Sequence, residues 1–347
     1  MIPRLMQIGN IHLPLPMVQA GLAGYSDRAM RLVARRRGCP YAVTEALLDV
    51  IILNGGEGLR RSIDINDEDH PIAAQLIGAD PHTMARAAVI MANAGHDVID
   101  VNLACPVKKI RNKLRGGHLL SDIDTAIAIL KAVRDALPPH VPTTLKLRKS
   151  YDDSPESLEG FHRVFNAAFD NNYAAVAVHA RTVEQKYLGV ATWDFLRQLK
   201  QQYPTRPILG SGDLFDASAA LRMLRETGVD GLWLARGAIG NPWIFADIAR
   251  LLNGAPESEL HPPTVHQQRD ALSEHFIEAM KLHGEQLAGR RMRKMGIRYA
   301  RFHPQSDQVK QSFIQVRSLR DWQATLDRWY TLDAPGIHPP IEAVNLA

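Results

Sequence analysis

Eight short β-rich runs alternate with amphipathic helical stretches through most of this 347-residue chain. The runs are Leu15–Leu22, Tyr41–Ala46, Ile72–Ile77, Asp97–Asn102, Pro142–Arg148, Ala174–His179, Pro207–Ser211 and Asp230–Ala235. Helical patterns such as Pro81–Ala94, Asp122–Ala136, Glu156–Asn171 and Asp216–Thr227 lie between them. Several runs are apolar throughout, as strands are when both their faces are buried. Eight strand–helix units in about 250 residues match a TIM (β/α)8 barrel better than an open doubly wound sheet. The glycine fingerprint of a dinucleotide-binding sheet is absent from the first strand–helix turn.

The alternation stops near Leu252, where "NGAPESELHPP" (Asn253–Pro263) reads as a polar linker. Thr264–His283, Gly289–Phe302 and Leu319–Thr331 then read as helices with no strand between them. The expected organisation is a barrel over residues 1–253 followed by a small all-helical C-terminal domain over 264–347. With 46% hydrophobic and 22% charged residues, the chain can bury a sizeable core and is not of the disordered class. The N-terminus has no signal-peptide pattern, and no apolar stretch approaches the ~18 residues of a membrane span. Two cysteines far apart, Cys39 and Cys105, make neither a disulfide framework nor a zinc site. The expectation is a cytoplasmic protein with reduced thiols, no membrane partner and no metal. The net charge of +4 is modest, but it concentrates in Cys105–Arg115 and Gly289–Arg301, both free of acidic residues. Such clusters suit phosphate or nucleic acid.

Barrel chemistry sits at the C-terminal ends of the strands. Polar residues collect at those ends here: Glu45, Gln75, Asn102 with Cys105, Lys146 with Arg148, His179 with Arg181, Ser211-Gly212-Asp213, and Arg236-Gly237. Any one of them has an ordinary structural explanation; their convergence on one mouth is harder to dismiss. The small residues Gly212, Ala235 and Gly237 follow the last two strands, where backbone N–H groups can approach an anion. Lys146 and Arg236 add positive charge. A phosphate-bearing cofactor is the natural inference, and no metal-ligand motif competes with it.

The stretches "AGYSDRAMR" (Ala23–Arg31), "AAQLIGADP" (Ala73–Pro81), "IDVNLACPVKKI" (Ile99–Ile110), "TLKLR" (Thr144–Arg148), "VHARTVEQKYLGVATWD" (Val178–Asp194), "SGDL" (Ser211–Leu214) and "ARGAIGNPWIF" (Ala235–Phe245) stand in a specific order and spacing. In them the chain resembles the bacterial tRNA-dihydrouridine synthases, flavin-dependent enzymes that reduce uridines in tRNA. The resemblance spans the barrel and the tail, where Arg290, Arg293 and Lys294 match an Arg-x-x-Arg-Lys pattern. It implies FMN as cofactor, NADPH as co-substrate and tRNA as partner; a monomer is expected. It makes Cys105 the general acid, places Gln75 and Lys146 on the flavin ring and His179 beside it, and puts Asn102 near the uracil. Ser211-Gly212-Asp213 and Ala235-Arg236 match its phosphate loops, and Gly21-Leu22-Ala23 its first-strand flavin contact. Three positions depart from the family pattern: Gly21-Leu22 stands for Pro-Met, Ser211 for asparagine and Met295 for histidine.

Reduction of uracil needs a hydride at C6 and a proton at C5. A thiol with an ordinary pKa near 8.5 is mostly protonated at neutral pH and can give that proton. Cys105 opens a basic loop with Lys108, Lys109, Arg111, Lys113 and Arg115, which suits a phosphate backbone. Arg181, Arg290, Arg293, Lys294, Arg298 and Arg301 are further candidate RNA contacts. Two other readings stay open at this point: a flavin barrel acting on a free pyrimidine, and a tRNA-binding protein without flavin turnover.

Overall fold

The computed structural model describes residues 5–107 and 114–340. It opens with an antiparallel hairpin, β1 (Met6–Ile8) and β2 (Ile11–Leu13). The parallel strands follow: β3 (Met17–Gln19), β4 (Ala42–Val43), β5 (Leu47–Leu48), β6 (Ile72–Ile77), β7 (Val98–Leu103) and β8 (Thr143–Arg148). Last come β9 (Ala175–His179), β10 (Ile208–Ser211) and β11 (Gly231–Leu234). The ring runs β4–β3–β11–β10–β9–β8–β7–β6 and closes where Ala42 of β4 pairs with Ile72 of β6; β5 adds a short pairing to β6. This is the eight-stranded barrel that the alternation implies.

The barrel helices are α1 (Arg28–Arg35), α2 (Asp49–Asn54), α3 (Glu57–Ser62), α4 (Pro81–Asn93), α5 (Ile123–Ala136), α6 (Pro155–Asp170), α7 (Trp193–Gln202), α8 (Ala217–Thr227) and α9 (Ile244–Leu252). Their starts are written in the sequence. Asp80, Asp122, Ser154 and Asp216 each accept a backbone N–H from the first turn, satisfying a donor that the helix leaves open. Pro81 and Pro155 occupy first-turn positions where no N–H is needed. The tail holds α10 (Val265–His283), α11 (Glu285–Tyr299), α12 (Ser306–Gln315) and α13 (Leu319–Trp329). Phe276, Phe313 and Trp322 form its aromatic centre, with ring centroids 4.8 and 5.1 Å apart. Helix α10 lies against α1, tied by Arg36 and Arg37 to Glu274 at 2.9 and 2.8 Å.

Strand alternation decides which side chains reach the barrel interior. Val18, Val43, Ala73, Val98, Ala175, Leu209 and Trp233 point inward, and Met6, Ile8 and Leu13 of the hairpin join them in the same cluster. The hairpin therefore closes the N-terminal end and leaves the other end open. On β7 the same period of two puts Asp100 and Asn102 on the inner face, and on β8 it puts Thr144, Lys146 and Arg148 there.

Several expectations need correcting. The run Tyr41–Ala46 is not one strand: Thr44 turns its hydroxyl to the Gln75 N–H at 3.0 Å, and Glu45 takes the Gly24 N–H at 2.6 Å. The Thr44 N–H still donates to the Ala73 carbonyl at 2.9 Å, and the strand is broken between there and β5 at Leu47. Helix α11 starts at Glu285 rather than Gly289. Gly289 lies within the helix, where its bare face meets the backbone at 317–318. The hairpin and α12 have no counterpart among the expected elements.

Candidate active site

The open end of the barrel holds a cavity of about 330 Å³, within the usual size of a cofactor site. Cys105, Gly21, Leu22, Ala23, Gln75, Asn102, Lys146, His179, Ser211, Gly212, Asp213, Ala235 and Arg236 all line it.

Its floor is organised by a one-way chain of hydrogen bonds. Asn102 Oδ1 accepts the backbone N–H groups of Ala104 and Cys105 at 2.9 and 3.0 Å. Asn102 Nδ2 donates to Gln75 Oε1 at 2.7 Å, and Gln75 Nε2 donates to Asp100 Oδ2 at 2.8 Å. Thr144 donates its hydroxyl to Asp100 Oδ1 at 2.6 Å. Backbone donors at one end and an acceptor-only carboxylate at the other leave both amides a single orientation. Burial raises the Asp100 pKa to about 6, against the hydrogen bonds from Thr144 and Gln75 and the charge of Lys146. It is therefore ionised at neutral pH. Lys146 is buried 5.9 Å from the Trp233 ring centroid, and burial with the nearby Arg148 charge brings its pKa down to about 7.

His179 is held neutral. Burial, then the charges of Arg148, Lys146, Arg181 and Arg236, push its pKa well below the ordinary value, and its Nδ1 has no hydrogen-bond partner among the described residues. Beside it the loops after β10 and β11 touch. A Cβ on Gly237 would overlap the Leu214 carbonyl, and Gly212 sits at φ +126° with Asp213 at +55°. The Asp213 carboxylate is engaged by protein donors. It accepts from Arg181 at 2.7 Å, from the Ala191 N–H at 2.8 Å and from Arg236 at 3.3 Å. The Arg236 guanidinium lies between the Tyr187 and Phe215 rings, 4.9 Å from each centroid. A glycine-lined cradle, a half-buried guanidinium and an imidazole nitrogen unpartnered among the described residues fit a phosphate-bearing ring system. Gly21 has its own reason to be glycine: a Cβ would overlap the Thr44 carbonyl, so the proline of the family pattern has no room there.

Cys105 opens the other wall. Burial raises its thiol above the ordinary value, against a backbone N–H from Val107 and the Arg148 charge, so the sulfur keeps its proton at neutral pH. Arg148 locks that wall, donating to the carbonyls of Ala104 at 2.8 Å, Thr182 at 2.8 Å and Lys186 at 2.6 Å.

The RNA candidates divide. Lys108 and Lys109, with Arg111 and Lys113, lie outside the described residues. Arg290 is exposed on α11 and Arg293 is half-buried. Lys294 reaches the mouth itself, 4.3 Å from the ring centroid of Tyr25, a cavity-lining residue. Arg181 is corrected: at 2% exposure it holds the Leu188 and Gly189 carbonyls and Asp213, and does not face the mouth. Arg301 is corrected too, since it is largely buried and donates to the Ile239 carbonyl at 3.0 Å. Sequence reasoning missed Asp100, Tyr25, Tyr187 and Trp233. Only Asp100 left a signal, as a lone carboxylate two residues before Asn102 in a strand whose other residues are apolar.

Fold and cavity define an α/β-barrel enzyme working at the C-terminal ends of its strands. Two solved structures share the barrel: histamine dehydrogenase from Rhizobium sp. 4-9 (TM-score 0.54, 16% identity) and a 2-naphthoyl-CoA reductase (TM-score 0.56, 13% identity). They cover 73% and 74% of this chain, which spans 48% and 52% of theirs. The family model for dihydrouridine synthase (Dus) matches residues 18–333. A tRNA-dihydrouridine synthase B from Xanthomonas campestris is 34% identical over 340 residues, covering 97% of this chain and 99% of the relative. One from Shewanella oneidensis is 35% identical over 298 residues, with 86% and 88% covered. The chain belongs to the dihydrouridine synthase family.

Proposed function

We propose that this protein reduces uridine in tRNA to 5,6-dihydrouridine with FMN bound in the barrel cavity and NADPH as reductant. The observation that carries the reading is Cys105: a protonated thiol on the wall of a cavity whose other wall is a glycine cradle with Arg236 beside it. The relatives that match nearly the whole chain are named for this activity on tRNA. Bound there and reduced by NADPH, FMN would supply the hydride for uracil C6. Gly212, Asp213, Ala235 and Arg236 would hold the phosphate, and Gln75, Lys146 and His179 would meet the ring. Cys105 gives its proton to C5, which completes addition of two hydrogens across the double bond. The Asn102 side chain, fixed by the Gln75–Asp100 chain, positions the backbone that carries the thiol. Lys294 at the mouth gives the tail a direct place beside an entering nucleotide, which favours RNA over a free pyrimidine.

The test is to incubate the purified, flavin-loaded protein with NADPH and unmodified tRNA and digest the RNA for mass spectrometry. Uridine gaining two mass units, with matching NADPH consumption, is expected. Flavin-loaded protein that oxidises NADPH yet leaves tRNA uridine unchanged contradicts the reading.

A further inference from the structure

The loop from β9 to α7 turns apolar side chains to solvent at the cavity mouth. Leu188 is 74% exposed, Val190 79% and Tyr187 51%. Single exposed apolar residues are ordinary on a protein surface; three within four consecutive residues at the edge of a binding site are not. The loop is held firmly. Arg181 donates to the Leu188 carbonyl at 3.2 Å and the Gly189 carbonyl at 2.6 Å, and Arg148 donates to the Lys186 carbonyl at 2.6 Å. Lys186 at φ +51° and Gly189 at φ +64° bend the chain on either side of Leu188. Two arginines buried beneath the loop thus keep a greasy tip in place.

The position of the tip matters as much as its chemistry. Tyr187 lines the cavity, so the tip is continuous with the mouth. Around the ring, β9 stands three strands from β3, and the loop after β3 is where Lys294 of α11 meets Tyr25. An RNA lying on α11 and crossing the mouth would meet the β9–α7 loop, three strands around the ring from β3. A uridine that reaches Cys105 has left its stack, which is costly unless something fills the gap. Apolar side chains inserted between bases are a general way to do so. We propose that Leu188 and Val190 form an apolar wedge that enters the tRNA stack beside the target uridine and holds it open during reduction. This rests on the tRNA reading above.

The test compares Leu188→Ser/Val190→Ser with Leu188→Met/Val190→Ile, changes made at exposed positions. With the serine pair, kcat/KM on tRNA should fall about 10- to 100-fold, the scale of lost unstacking support. The Met/Ile pair should retain the parent rate. The salt dependence of tRNA binding should not change, because no phosphate contact is lost, and reduction by NADPH should be normal in both variants. An unaltered tRNA rate in the serine pair overturns the wedge. So does an equal loss in the Met/Ile pair, a shallower salt slope, or a dimeric parent that the serine pair dissociates. A parent protein that forms no dihydrouridine overturns the functional reading itself, whatever the variants do.

Discussion

A carboxylate in the middle of an apolar strand is costly, and Asp100 is justified by what it accepts. Replacing it by leucine leaves Gln75 Nε2 and Thr144 Oγ1 without their acceptor, at about 1–3 kcal/mol for each buried group. It also frees both amides to flip. Asp100→Asn can keep the order, its oxygen toward Gln75 and its NH2 toward a turned Thr144 hydroxyl. We expect Asp100→Leu to lower the melting temperature and dihydrouridine formation, and Asp100→Asn to recover most of both; equal losses would contradict the relay. Asp100 also carries a pH signature. Its folded pKa is raised from 3.8 to about 6, so the folded state holds that proton more tightly than the unfolded state. This contribution is present below 3.8 and lost as pH rises through about 6. Asp100→Asn should therefore gain stability relative to the parent over that window, measured by denaturant unfolding at each pH. The sequence shows that Asp100 shares a face with Asn102, but not which acceptor each amide finds. Arg181 and Arg301 stand where ligand contacts belong. Their side chains turn to loop carbonyls and, for Arg181, to the Asp213 carboxylate, and no motif records that direction.

Helices with strong caps and a broad apolar stripe were legible: α4, α5, α6, α8 and α10 fall within a residue of their expected starts or ends. The elements that were not legible are those with little local signal. The hairpin has two three-residue strands, and α12 buries only Val309 and Phe313, too few for a readable period. Tertiary contact defines α12 instead. A Cβ on Gly296 of α11 would overlap the Phe313 ring, so the two helices meet only because that face is bare. Gly296→Val should separate them and destabilise the protein by about 1–3 kcal/mol, as overpacked contacts do. Thermal unfolding should show that loss while flavin content, which the proposed cavity site would set, remains normal. An unchanged melting temperature would mean that the contact is not tight.

At the scale of the molecule, the tail meets the barrel at its working end. His283 Nε2 donates to Asp27 at 2.8 Å, and Lys294 reaches Tyr25. The barrel and the helical tail could be read from alternation, and many of the residues that line the cavity from motif order, but not Tyr25, Tyr187 or Trp233. The closeness of α11 to the mouth could not, because it depends on contacts between residues hundreds of positions apart. Arg290→Ala with Arg293→Ala should weaken tRNA binding and flatten its dependence on salt by roughly one unit per lost phosphate contact. Parent-like affinity and slope in a filter-binding titration would make those cations an ordinary solvated face. The central claim is that Cys105 acts on the substrate and not on the cofactor, and separating the two half-reactions in Cys105→Ala tests it most directly. The flavin-loaded variant should be reduced by NADPH at the parent rate in stopped flow. Its single-turnover transfer to tRNA should be slower by about 10²–10⁴-fold, the usual contribution of a general acid. Parent-rate dihydrouridine formation by the alanine variant would contradict the account.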